Sequence, residues 1–123
     1  MTESDRKKRF DAMLGARDKN VFRALLRDYI LCRLGLPAET KETNLYYLVL
    51  YSVRIKMPDE DPKTLESRLA TVDCHQTSYI VSKKTLLMME IEHGLSKHVS
   101  SDDAVYADNI EKYAEVLWEA EAM

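Results

Sequence analysis

The sequence predicts an all-α fold, a single helical domain over residues 1–123 in which five or six helices form a compact bundle around one apolar central element. Three observations carry that expectation. Three Gly and three Pro in 123 residues, with 46% hydrophobic and 32% charged side chains, are the composition of a packed helical domain and not of a disordered chain. Apolar residues recur at helical spacing in the second segment and in the last one. Between them, Asn44 to Met57 is uncharged from Leu45 to Val53, with only Ser52 interrupting the apolar and aromatic side chains. On a helical wheel its first half is apolar all round, so other segments must cover it.

The second half of that stretch also supports a different reading. Tyr51, Val53, Ile55 and Met57 alternate with Ser52, Arg54 and Lys56, a period of two that suits a strand. The alternative fold is therefore α+β with a short two-stranded sheet, for which Ser78 to Ser82 offers the partner. Helix is favoured because the flanking segments carry helix signals. The stretch is too short to cross a membrane, which takes about 20 apolar residues.

In chain order, a first helix is expected from near Ser4 to Leu14, with Phe10, Met13 and Leu14 inward and Gly15 as its stop. Asp18 caps a second helix whose Phe22, Leu25, Leu26 and Tyr29 form one stripe, closing at Gly35 before Leu36 and Pro37. Thr40 or Thr43 is the expected cap of the central element, which the second, fifth and last helices enclose and which stops before Pro58. Asp61 and Pro62 open a short helix with Leu65, Leu69 and Val72 inward. Asp73 and Gln76 resemble a capping box for a helix running through Leu86 to Met89 and ending at Gly94. In the last helix, Ser100 and Asp103 form another capping-box pattern, and Tyr106, Ile110, Tyr113, Leu117 and Ala120 step along one face.

Charge is distributed unevenly. Residues 1–35 carry nine Lys/Arg against five Asp/Glu, and residues 101–123 one Lys against seven Asp/Glu, within a total of −3. Lys19, Arg23 and Arg27 line up beside the second helix's stripe, and Asp108, Glu111, Glu115 and Glu119 project away from the last helix's apolar face. These seven residues are the candidate partner-binding set.

The catalytic and cofactor motifs fare poorly. Glu92 to Lys97 resembles the turn of a helix-turn-helix, but Glu90 occupies the position of a packed small residue and Ser100 to Asp103 would repel phosphate. Gly94 is then a plain helix stop. Cys74, His75, His93 and His98 are the only metal-ligand candidates, and Glu90 with His93 makes one Glu-x-x-His without the second copy a di-iron site needs. No nucleophile elbow or phosphate-cradling loop occurs, and Cys32 reads as a core residue. No enzyme, no metal and no cofactor are expected.

Two cysteines are too few for a disulfide framework, and no apolar run follows Arg6 to Arg9. A cytoplasmic protein without a membrane segment is the expectation. Seven tyrosines against two phenylalanines favour protein interfaces. The functional expectation is a small protein-binding module, a stoichiometric regulator or inhibitor acting through helix faces as a homodimer. The alternative is a nucleic-acid-binding protein using the basic N-terminal helices.

Overall fold

The computed structural model describes residues 1–56 and 74–120, apart from the side chains of Lys56 and residues 74–78. Six helices lie among the described residues: α1 (Glu3–Leu14), α2 (Lys19–Leu34), α3 (Leu45–Lys56), α4 (Cys74–Leu95), α5 (Ser101–Tyr106) and α6 (Ile110–Glu119). The fold is an all-α bundle. Both segments that offered strands, 44–57 and 78–82, are helical from Leu45 on as far as they are described. The short helix expected at Leu65, Leu69 and Val72, the stop at Pro58 and the box at Asp73 and Gln76 lie outside the described residues or side chains.

The bundle is built on α2. Asp18 caps it by accepting the Asn20 N–H at 2.8 Å, and Gly35 ends it in the left-handed conformation at φ 72°. There the Leu36 N–H reaches back to the Leu31 carbonyl at 2.9 Å, a closure that glycine allows without a Cβ penalty. Its stripe buries Phe22, Leu26, Tyr29, Ile30 and Leu34, and α2 packs against α1, α3 and α6.

The stretch expected at the centre is instead covered on one side. α3 packs on α4 and α2 and buries Leu45, Leu48, Val49, Ser52 and Val53, while Tyr47, Tyr51 and Ile55 are exposed. Its buried hydroxyl is satisfied: Ser52 donates to the Leu34 carbonyl at 2.7 Å, one of the acceptors that the end of α2 leaves without a helical partner.

Neither threonine caps α3. Asn44 does, accepting the Tyr47 N–H at 3.2 Å, and Asn109 caps α6 in the same way through the Lys112 N–H at 2.8 Å. The two capping residues form an antiparallel bridge. Leu45 N–H donates to the Asp108 carbonyl and Ile110 N–H to the Thr43 carbonyl, both at 2.9 Å. The first amide of each helix, which has no acceptor of its own, is thus satisfied from the loop before the other helix.

That bridge explains why the expected last helix is broken. Ser100 caps only α5, accepting the Asp103 N–H at 3.2 Å, and the chain leaves the helix at Ala107 so that Asn109 can pair and restart it. Tyr106 therefore falls off the apolar line and is exposed, whereas Ile110, Tyr113 and Leu117 are buried. Leu14, expected inward, is exposed at the last turn of α1, where the chain turns away through Gly15. Cys32, expected in the core, is exposed on α2.

Gly94 is not the stop of α4. A Cβ there would lie 2.4 Å from the Phe10 ring, so the glycine lets α1 approach α4. The helix runs on to Leu95 and closes at Ser96, which holds φ 53° while the Lys97 N–H bonds the Glu92 carbonyl at 2.9 Å.

Two stability predictions follow from this packing. Gly94→Ala should destabilise by about 1–3 kcal/mol by overpacking Phe10, although alanine is the better helix former, and Ser96→Gly should stabilise by roughly 0.5–1 kcal/mol by relieving the left-handed backbone. Shifts of the urea midpoint in opposite directions are expected, and a stabilised Gly94→Ala would refute the contact. Tyr113→Ala and Ile110→Ala should each cost about 2–5 kcal/mol, against less than about 0.5 kcal/mol for the surface change Glu115→Ala, as read from the same melts.

Candidate functional site

The densest polar cluster forms where α1, α2 and α4 meet, and its centre is Glu90. Tyr29, fully buried on α2, donates its hydroxyl to Glu90 Oε1 at 2.8 Å. Arg6 of α1 reaches the same oxygen at 3.0 Å, and Arg33, one turn beyond Tyr29, places Nε 3.2 Å from both carboxylate oxygens. Burial pushes the Glu90 carboxyl up, but the Tyr29 hydroxyl and then the two guanidinium groups outweigh it and hold it below the usual carboxylate range. Burial, followed by the Glu90 charge, pushes the Tyr29 phenol well above its ordinary value.

Two residues on, about half a turn, Glu92 behaves oppositely. Tyr113 is buried on α6, and its hydroxyl lies 3.0 Å from the Met88 carbonyl and 3.2 Å from Glu92 Oε2. Burial raises the Glu92 carboxyl above its ordinary value, and the Tyr113 hydroxyl, the Val99 N–H and the His98 charge only partly counter it. Glu90 and Glu92 thus project to opposite sides of α4 and dock it on α1 and α2 on one side and on α6 on the other.

This clamping decides which face of α4 points outward. The helix buries Ile80, Leu87, Met88, Ile91 and Leu95. On the opposite face Tyr79, Ser82, Leu86, Met89 and His93 are all exposed, with Tyr79 at 54%, Leu86 at 65% and Met89 at 59%. Their spacing of three, seven, ten and fourteen places them on one seam along the axis. A depression of about 220 Å³ adjoins it, lined by Arg33, Leu34, Lys83, Leu86, Leu87 and Glu90. On the other side of Glu90, a wider depression of about 740 Å³ runs past Arg6, Lys7, Phe10, His93 and Gly94.

The seam was missed in the sequence because α4 carries two apolar stripes. Read together they hide the periodicity of residues 79–95, which Lys83, Lys84, Glu90 and Glu92 also interrupt. Only the separation of the 79-82-86-89-93 series from Ile80, Leu87, Ile91 and Leu95 reveals a second face, and nothing local says which of the two is inward.

The charged candidates are dispersed. Lys19 lies 3.7 Å from Glu115, so one member of the basic stripe meets one member of the acidic face within the chain. Arg27 bonds the Thr40 and Glu42 carbonyls and holds the 35–44 loop on α2, leaving Arg23 exposed between them. Asp108 sits in the break before α6 and bridges to Lys112 at 3.5 Å; Glu111 and Glu119 are exposed. Within the basic N-terminal set, Arg9 pairs with Asp28. Among the described residues no group of three or more His, Cys, Asp or Glu is placed to hold a metal ion, and Glu90 is committed to its cations. No helix among them is long and apolar enough to cross a membrane.

The two glutamates should give opposite pH signatures. Glu90 titrates below its unfolded value of about 4.3, so the stability it contributes is present above that pH and lost as pH falls through its lower folded pKa. Glu92 titrates above its unfolded value, so its contribution is present at acid pH and lost as pH rises through its folded pKa. In urea melts across the acid to neutral range, Glu90→Gln should fall further behind the parent protein as pH rises, and Glu92→Gln should gain on it. Two parallel profiles would refute the assignment. The chain matches no protein-family model, and comparisons with curated proteins and with solved structures gave no match.

Proposed function

We propose that this chain is a protein-binding module that works by stoichiometric contact, as a small regulator or inhibitor does, and that the outward seam of α4 is its contact surface. One observation carries this reading: among the described residues, the face of α4 that holds Tyr79, Leu86 and Met89 is exposed, opposite the face that buries Ile80, Leu87, Met88, Ile91 and Leu95. Large apolar side chains left in solvent at Tyr79, Leu86 and Met89 cost hydration free energy without adding to the core. A contiguous exposed patch of this kind is characteristic of interaction sites. Tyrosine, methionine and arginine, all present on or beside the seam, are enriched at interfaces. A catalytic reading has less support, because the two perturbed carboxyls, Glu90 and Glu92, are engaged in holding helices together.

Native mass spectrometry of the tagged chain recovered from its own host cells at low salt tests the proposal. A defined complex is expected from the parent protein, and the double variant Leu86→Asp, Met89→Asp should lose it. Both side chains are mostly exposed, so the variant should keep its stability within about 0.5 kcal/mol. A species of twice the chain mass would identify the homodimer expected from the sequence. A bare monomer from the parent, or a complex that the double variant retains, would overturn the reading, and a species loaded with nucleic acid would favour the exposed cations Lys7, Lys8, Arg17 and Arg23.

A further inference from the structure

We propose that the partner of the α4 seam is an acidic amphipathic helix of another protein, lying along Tyr79 to His93 with its carboxylates over Lys83 and Arg33; this rests on the reading of α4 given above. Three observations define that occupant. The first is spacing. Residues 79, 82, 86, 89 and 93 alternate steps of three and four, the pattern with which one helix presents a seam to another, and they span about 21 Å, close to four turns. A strand or an extended peptide would follow no such line.

The second is charge. The depression beside Leu86 is lined by Arg33, Lys83 and Glu90, and Glu90 already accepts from Arg6 and Arg33. One carboxylate shared by two guanidinium groups, with Lys83 beside it, leaves this flank net positive. Between residues 74 and 89 the sequence holds Lys83 and Lys84 and no Asp or Glu. Carboxylates on a partner helix are therefore attracted and ammonium groups repelled.

The third weighs against a second copy as the occupant. Pairing α4 with α4 brings no uncommitted carboxylate to Lys83, since Glu90 and Glu92 both hold internal partners. α6 exposes Glu111 and Glu119 but no large apolar side chain, and α5, which exposes Asp102, Asp103, Val105 and Tyr106, is six residues long and too short to follow four turns. An acidic helix from elsewhere, with its own apolar line at the same spacing, meets both requirements.

The test uses the intact protein and two labelled 21-residue peptides that carry leucine at every first and fourth heptad position. One has glutamate and the other lysine at the flanking positions. Fluorescence anisotropy at low salt should show saturable binding of the glutamate peptide, tighter than that of the lysine peptide by roughly three- to tenfold. The preference should shrink at high salt, where the screening length falls to about 3 Å at 1 M. Lys83→Glu should reverse the preference, and Leu86→Glu should abolish binding of the glutamate peptide while leaving the circular dichroism spectrum unchanged. Equal affinity for both peptides, binding that survives Leu86→Glu, or a single-stranded oligo-dT that binds while the glutamate peptide does not would each overturn the proposal. If the peptides fail while the native complex still depends on Leu86 and Met89, only the acidic-helix inference falls and the binding-module reading stands.

Discussion

The architecture depends on one carboxylate held by groups from two other helices. Glu90 collects a hydroxyl and two guanidinium groups, so α4 is positioned against α1 and α2 by the geometry of a single side chain. Apolar contacts favour burying the face of Ile80, Leu87, Met88, Ile91 and Leu95, and the donors to Glu90 fix the rotation of the helix that does so. A partly buried carboxylate with three donors can be satisfied in only one rotational setting of the helix. A rotation that turned Leu86 and Met89 inward would pull Glu90 off Tyr29 and leave a buried hydroxyl and a partly desolvated charge unmatched. The polar cluster supplies the specificity of the arrangement and the surrounding core supplies most of its stability.

Function enters through the same constraint. Once Glu90 and Glu92 are both turned inward, the outward face of α4 carries Tyr79, Leu86 and Met89 with positive charge along one flank. The hub and the proposed contact surface are therefore adjoining faces of one helix. Arg33 belongs to both, since it neutralises Glu90 and also lines the depression next to Leu86.

Much of the fold was legible because local chemistry and global packing agree. Asp18 and Gly35 bracket α2 in the sequence as they do in space, and the stripe of Ile110, Tyr113 and Leu117 is buried as its spacing demands. The misplacements arise where a distant partner overrides a local rule. Gly94 looks like a stop until the Phe10 ring is seen against it, and the last helix looks continuous until Asn109 is seen paired with Asn44. Thr40 and Thr43 are good capping residues by type, but the residue that caps α3 is the one that also meets Asn109. The charged site candidates were chosen as exposed faces, and a sequence cannot indicate that Lys19 and Glu115, nearly a hundred residues apart, are neighbours. The α4 seam was present in the spacing, yet choosing the outward face required knowing where Glu90 found its donors.

The reciprocal capping of α3 and α6 has a consequence for how this end of the bundle opens. A helix start in isolation frays amide by amide, because its first N–H groups are bound only to water. Here the Leu45 and Ile110 amides each rely on a carbonyl from the other helix's approach, so neither start can loosen without depriving the other of an acceptor. Opening is thereby converted from two independent local events into one concerted event. A segment near the middle of the sequence and one near its end share a single cooperative unit, although most of the chain lies between them.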